Sequence, residues 1–235
     1  MEIIIVRHGE SVNNQPDPSL HTLDPDLTPR GLLQAQLVGE RFEGVQFDAL
    51  LSSPCRRALR TANEISVRKG DMPIHILHEM VEVGTEYAVL KHADALKICP
   101  NALPYGETSG VGDYGDNYGL DFREAYYNIG RAYRVISRVR QMFSQDSTVV
   151  LVAHGAFNQR LIAAALRTAF PPDFIFSQEN TGVSVISDRP DREGRMITRL
   201  VMMNDTSHLY YGMIRGLDCL DASTPFYPYP GLAEK

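Results

Sequence analysis

Thr148-Val149-Val150-Leu151-Val152-Ala153, followed at once by His154-Gly155, decides the fold. Its six uncharged residues read as one strand, because a parallel strand covered on both sides shows a continuous apolar run rather than alternation. A helical period then runs over residues 156–169. The same order opens the chain. Ile3-Ile4-Ile5-Val6, with Glu2 before it, reads as a short buried strand, and Arg7-His8-Gly9-Glu10 stands where it ends.

Between these two units, Asp48-Ala49-Leu50-Leu51 is a weaker strand candidate. Residues 183–187 and 196–203 suggest two more, joined by the polar turn 188–194. Helical periods separate the strands. Thr28 suits an N-cap and Pro29 the first helical position, ahead of Leu32, Leu33, Val38 and Phe42. Residues 54–68, opened by Pro54, give a second helix. The longest runs over about 122–143, where Phe122, Tyr126, Ile129, Tyr133, Ile136, Val139 and Phe143 step by three or four along one face. Strands alternating with helices predict an α/β three-layer sandwich, a mostly parallel central sheet with helices on both faces. The antiparallel pair near 183–203 makes the sheet mixed. A single domain over 1–235 is expected, carrying an inserted segment.

Two stretches stand outside that alternation. Residues 85–120 hold a helix-like patch at 88–98, then a Gly-, Tyr- and Asp-rich run from Pro104 to Gly119. Such an insertion reads equally as a lid and as a tolerated surface loop. The tail, about 210–235, ends in Phe226-Tyr227-Pro228-Tyr229-Pro230 and either packs over the site or trails.

Composition narrows the function classes. Hydrophobic residues are 43% and charged residues 22% of the 235, which fits a globular chain and excludes a disordered or fibrous one. No apolar run approaches the ~18 residues of a membrane span. Met1 to Val6 lacks a basic n-region and meets Arg7 directly, so no signal peptide is expected. A net charge of −6 argues against nucleic-acid and membrane partners. Cys55, Cys99 and Cys219 are scattered and odd in number, which fits neither a disulfide framework nor a CxxC zinc site and makes the reducing cytoplasm the expected compartment.

The chemistry sits at two strand ends. In open α/β sheets ligands bind beyond the carboxyl ends of the strands. Arg7 beside His8, then a glycine that lets backbone come close, suits a phosphate. His154-Gly155 repeats the pattern, and a helix starting near Gly155 aims free N–H groups at an anion. Two such pairs can converge on one pocket.

At this point the sequence resembles a family. Ile5-Val6-Arg7-His8-Gly9-Glu10 with Asn14, Ser52-Ser53-Pro54-Cys55-Arg56-Arg57-Ala58 with Thr61-Ala62, and Val152-Ala153-His154-Gly155 are similar to three motifs of the histidine phosphatase (phosphoglycerate-mutase-like) superfamily. Leu27-Thr28-Pro29-Arg30-Gly31 with Gln34-Ala35, and Asn204 with His208-Leu209, are also family-like and fall in the family's order. The resemblance implies that His8 attacks phosphorus and becomes a phosphohistidine. It implies a phosphate pocket of Arg7, Asn14, Arg57, His154 and Gly155, with the arginines gripping by forked hydrogen bonds that lysine cannot imitate. No metal or other cofactor is implied, because the arginines supply the positive charge.

The leaving oxygen needs a general acid. In the family this is a glutamate shortly after the third strand. Glu82 is preferred for its Glu-x-Gly-x-x-Glu-aromatic context ending at Tyr87; Glu79 and Glu86 stay open in that order.

Other features are discounted. Gly110 to Gly115 spells GxGxxG without a preceding strand, so no dinucleotide site follows. His75 and His78, a strand-to-loop pair without Cys or Asp partners, do not make a zinc site. The sequon Asn204-Asp205-Thr206 has no use in a cytoplasmic chain, and the Tyr-rich patch 105–127 reads as packing. Arg56 and Arg60 are expected in surface salt bridges, and Glu10 is expected to order its loop.

The implied activity is phosphomonoester hydrolysis of a small phosphorylated substrate. The alternatives are a phosphoglycerate mutase on the same scaffold and a non-catalytic phospholigand-binding protein. Family mutases carry a Trp where Asn13 stands and a Glu-Arg-His-Tyr-Gly segment, and this chain contains neither. The sequence leaves the substrate and the oligomeric state open, a dimer included.

Overall fold

A computed structural model describes residues 1–83, 92–104, 125–168 and 176–219 of the chain. Seven strands form one sheet: β1 (Glu2–Arg7), β2 (Ala49–Ser52), β3 (Ile74–Ile76), β4 (Ala102–Pro104), β5 (Thr148–Ala153), β6 (Val183–Pro190) and β7 (Met196–Asp205). Their order is β4-β3-β2-β5-β1-β6-β7. The first five in that order run parallel, while β6 is antiparallel to both β1 and β7. The expected mixed sheet is present.

Alternation along the central strands splits the core in two. Ile3, Ile5, Leu51, Val149 and Leu151 face α4 (Ala125–Met142) and α5 (Gly155–Leu166). Ile4, Val6, Leu50, Val150 and Val152 face the other way, onto α1 (Pro29–Phe42), α2 (Arg56–Arg68) and α3 (His92–Ile98). Helices therefore cover both faces, as a three-layer sandwich requires. Each fully buried Val, Leu or Ile contributes about 1.5–3 kcal/mol, which is why β1 and β5 carry no polar residue between their ends. A last helix, α6 (Ser207–Ile214), packs Leu209 against Leu37 of α1. Thr28 caps α1 by accepting the Gly31 N–H at 3.0 Å, as expected of that residue.

Two expectations need correction. Tyr133 does not lie on the buried face of α4 but is 40% exposed; the buried residues there are Arg131, Ala132, Val135, Ile136 and Val139. Part of the 85–120 stretch belongs to the core, since α3 and β4 bury Ala95, Cys99 and Ala102. β4 has only three residues, too few to show a period, and pairs with β3 to close one edge. The rest of that stretch, including the GxGxxG run, lies outside the described residues, as does the tail beyond 219. The tail's first residues pack inward: the Cys219 carbonyl accepts Gln34 Nε2 at 2.9 Å.

Candidate active site

β1 and β5 are neighbours with Arg7 opposite Ala153, so Arg7-His8 and His154-Gly155 leave the sheet side by side at its carboxyl edge. The His8 N–H extends the ladder to the Ala153 carbonyl at 3.0 Å. β2 flanks β5 on the other side with Ser52 opposite Val152, which brings Ser53 and the first turn of α2, with Arg57, to the same edge.

His8 is buried, and two contacts fix its tautomer. Nδ1 lies 2.6 Å from the Gly9 carbonyl, which can only accept, so Nδ1 carries the proton. Nε2 then holds a lone pair and accepts from Arg57 Nε at 3.2 Å. Burial first, then the charges of Arg57 and Arg7, push the imidazole well below its usual pKa and keep it neutral. The His154 ring lies 5.2 Å from that of His8, with Nε2 2.7 Å from Ser53 Oγ. It too is held neutral, by burial and then by Arg57.

Arg7 donates from Nη1 to the Gln178 carbonyl at 2.5 Å. Its Nε lies over the start of α5, where a Cβ on Gly155 would come within 3.2 Å of it. Arg7 Nε and His154 Nδ1 are both buried without a hydrogen-bond partner. Buried polar atoms are rarely left so, and a guanidinium N–H and an imidazole nitrogen beside a neutral imidazole and a second guanidinium suit an anion's oxygens. The Gly9 and Gly31 backbones touch: a Cβ on Gly9 would sit 2.4 Å from the Gly31 carbonyl oxygen. Glycine at both places lets the loop after His8 lie on the first turn of α1.

Asn14 is tied in at one remove. Its Oδ1 accepts from the Ser11 N–H at 2.9 Å and faces Asn180 Nδ2 at 3.4 Å, and that Nδ2 also donates to the His8 carbonyl at 3.0 Å. Glu10 orders its loop as expected, accepting from Thr28 Oγ1 at 2.6 Å and from Arg30. Arg56 and Arg60 both pair with Asp26.

Two of the candidate acids differ sharply. Glu82 Oε1 accepts the Val83 and Phe157 N–H groups at 2.7 and 3.0 Å, and Oε2 accepts that of Ala156 at 3.3 Å. Its carboxylate thus caps the helix that follows His154, and its charge acts on Arg7. Glu79 instead pairs with Arg138 on α4 at 2.9 Å. Glu86 lies outside the described residues. Among the described residues no group of three His, Cys, Asp or Glu side chains could hold a metal ion. Nor is any described helix long and apolar enough to cross a membrane.

Sequence reasoning missed several neighbours. Ser53 holds His154. Asp24, nine-tenths buried, lies 3.8 Å from Arg57 Nη1. Gln178 and Asn180 reach Arg7 and His8 from about 170 residues away, a distance at which no local pattern gives a signal.

A buried neutral imidazole near two guanidiniums, at the carboxyl edge of a doubly covered sheet, has the charge and the donors that suit an anion. Comparison with known proteins gives the family: residues 3–205 match the model of the histidine phosphatase superfamily (branch 1), and the chain belongs to it. The chain is 26% identical over 225 residues to phosphoserine phosphatase 1 of Hydrogenobacter thermophilus, covering 89% of this chain and 94% of that one. It is 28% identical to a 2,3-bisphosphoglycerate-dependent phosphoglycerate mutase of Brucella ovis, over 78% and 90% of the two chains. Among solved structures it is similar to a phosphoserine phosphatase from Entamoeba histolytica in complex with 3-phosphoglyceric acid, with a TM-score of 0.58, 25% identity, and 88% and 98% of the chains covered.

Proposed function

We propose that this protein is a phosphomonoester hydrolase that works through a phosphohistidine on His8 and needs no metal. The observation that carries the reading is the fixed tautomer of His8, with Nδ1 bound to the Gly9 carbonyl and the Nε2 lone pair turned to Arg57. That lone pair attacks phosphorus, the N–P bond forms and the bond to the leaving oxygen breaks. Charge then gathers on three phosphoryl oxygens, so positioned cations do most of the work. Arg7, Arg57, His154 and the Gly155 N–H meet those oxygens, with Asn14 as a neutral donor, while the Ala156 and Phe157 N–H groups are taken by Glu82. As Nε2 becomes bonded to phosphorus, the Arg57 N–H it accepted is left to a phosphoryl oxygen.

Glu82 is the acid and then the base. It gives a proton to the departing alkoxide, takes one from water as water attacks phosphorus, and phosphate leaves with His8 restored. Its anchorage on the first turn of α5 supports this reading by position, because the Ala156 and Phe157 N–H groups hold the carboxyl group next to His154. The engagement of Glu79 with Arg138 supports Glu82 over it. The three cysteines are buried and carry no disulfide, which supports a cytoplasmic setting. The expected substrate is a small phosphomonoester of the kind named for the relatives, phosphoserine or a phosphoglycerate.

The similarity to the Brucella ovis mutase keeps an isomerase as the second reading. A panel of alkyl phosphates separates the two. Release of inorganic phosphate without transfer to a second hydroxyl is expected. Interconversion of 3- and 2-phosphoglycerate outpacing phosphate release would favour the mutase.

A further inference from the structure

Arg131 is a fully buried cation on α4 that the proposed chemistry leaves unused. A core position facing α5 would ordinarily take an aliphatic side chain, since a buried charge is costly unless it is hydrogen-bonded. Arg131 Nη1 donates to two carbonyls, Glu79 at 3.1 Å and Val81 at 2.9 Å. These belong to the backbone just before Glu82. The guanidinium carbon lies 4.5 Å over the Phe157 ring, and Phe157 is the residue whose N–H anchors Glu82 Oε1. One side chain therefore touches both the backbone leading to Glu82 and the first turn of α5 that holds its carboxylate. The Arg131 charge is also among those acting on His154.

We infer that Arg131 is a positioning residue for Glu82, clamping the 79–82 segment onto the helix that follows His154. This rests on Glu82 being the acid and base. Arg131 does not touch the substrate; it fixes where the carboxyl group stands relative to the leaving oxygen. A lysine keeps the charge but loses the planar group that stacks on the Phe157 ring while its Nη1 holds both carbonyls.

The test compares wild type, Arg131→Lys, Glu82→Gln and the double variant. Each is assayed on the best alkyl phosphate of the panel, on p-nitrophenyl phosphate bursts, and for inhibition by inorganic phosphate. General acid catalysis is worth ~10²–10⁴-fold, so a displaced acid in Arg131→Lys is expected to lower alkyl phosphate kcat by ~10-fold or more. The aryl burst and phosphate inhibition should change by less than about threefold, because neither needs the proton. In the Glu82→Gln background, Arg131→Lys should cost almost nothing further, as coupled residues are non-additive. Equal losses on both substrates, or the same loss with and without Glu82, would overturn the inference. So would Glu82→Gln showing the alkyl-selective loss while Arg131→Lys does not. If Glu82→Gln itself shows no contrast, the acid assignment fails and the inference falls with it. Phe157→Leu, which removes only the ring under the guanidinium, is the second probe should Arg131→Lys not fold; it should show the same selectivity in weaker form, and an unselective loss there counts against the clamp.

Discussion

Arg57 Nε stands 3.2 Å from His8 Nε2, so in the proposed mechanism the attacking nitrogen is held by a side chain that also receives the phosphoryl charge. A lysine at 57 has no planar fork to meet both the imidazole and an oxygen. Loss of one preorganised donor at a developing charge typically costs ~10²–10³-fold in rate. Arg57→Lys is therefore expected to slow phosphorylation of His8 by about that factor, read as the rate of the pre-steady-state burst. A burst within about threefold of wild type would show that Arg57 is a bystander.

Glu82→Gln tests the acid. An alkoxide must be protonated as it leaves, whereas nitrophenolate departs unaided. Hydrolysis of an alkyl phosphate should drop by ~10²-fold or more, with the aryl burst nearly intact. Should Glu79→Gln show that contrast instead, the acid belongs to the other carboxylate.

Chelation should leave activity unchanged, since Arg7, Arg57 and His154 already stand around His8. The check is hydrolysis after dialysis against EDTA, with and without added Mg²⁺ or Zn²⁺. Activity that disappears and returns with either ion contradicts the metal-free reading.

Stability should fall on acidification in part through His208. Burial, and then the charge of Arg41, lowers it to about 3, while its Nε2 lies 3.0 Å from Thr181 Oγ1. The sign follows from which state binds the proton first. The unfolded chain takes it up near pH 6.5 and the folded chain resists, so stability drops as pH falls through 6.5 toward 3. Between pH 7 and 5 this one group should remove about 2 kcal/mol. Urea unfolding of His208→Gln against wild type should show their stability difference shrinking by that amount over the same range. A difference independent of pH would mean that His208 titrates normally in the folded protein.

Much of the fold was legible because β1 and β5 are buried on both faces, which leaves a continuous apolar signature in the sequence. The site was legible for a related reason. His8 and His154 each follow such a run directly, and adjacent parallel strands bring equivalent ends together. What escaped had no local signature. β4 is ordered by pairing with β3, not by its own three residues. Apolar periodicity on α4 pointed to Tyr133, because a search for hydrophobic steps passes over a buried charge such as Arg131. Asn180 and Gln178 are placed by the turn before β6, and only the folded sheet brings that turn to β1.

The central claim is that His8 carries the phosphoryl group. Wild-type protein mixed with ³²P-labelled substrate and quenched within milliseconds should retain acid-labile, base-stable label, with mass spectrometry placing it on the peptide that contains His8. His8→Ala, whose other pocket residues are intact, should retain no label and show no turnover. Label on another residue, or substantial turnover by His8→Ala, would contradict the account.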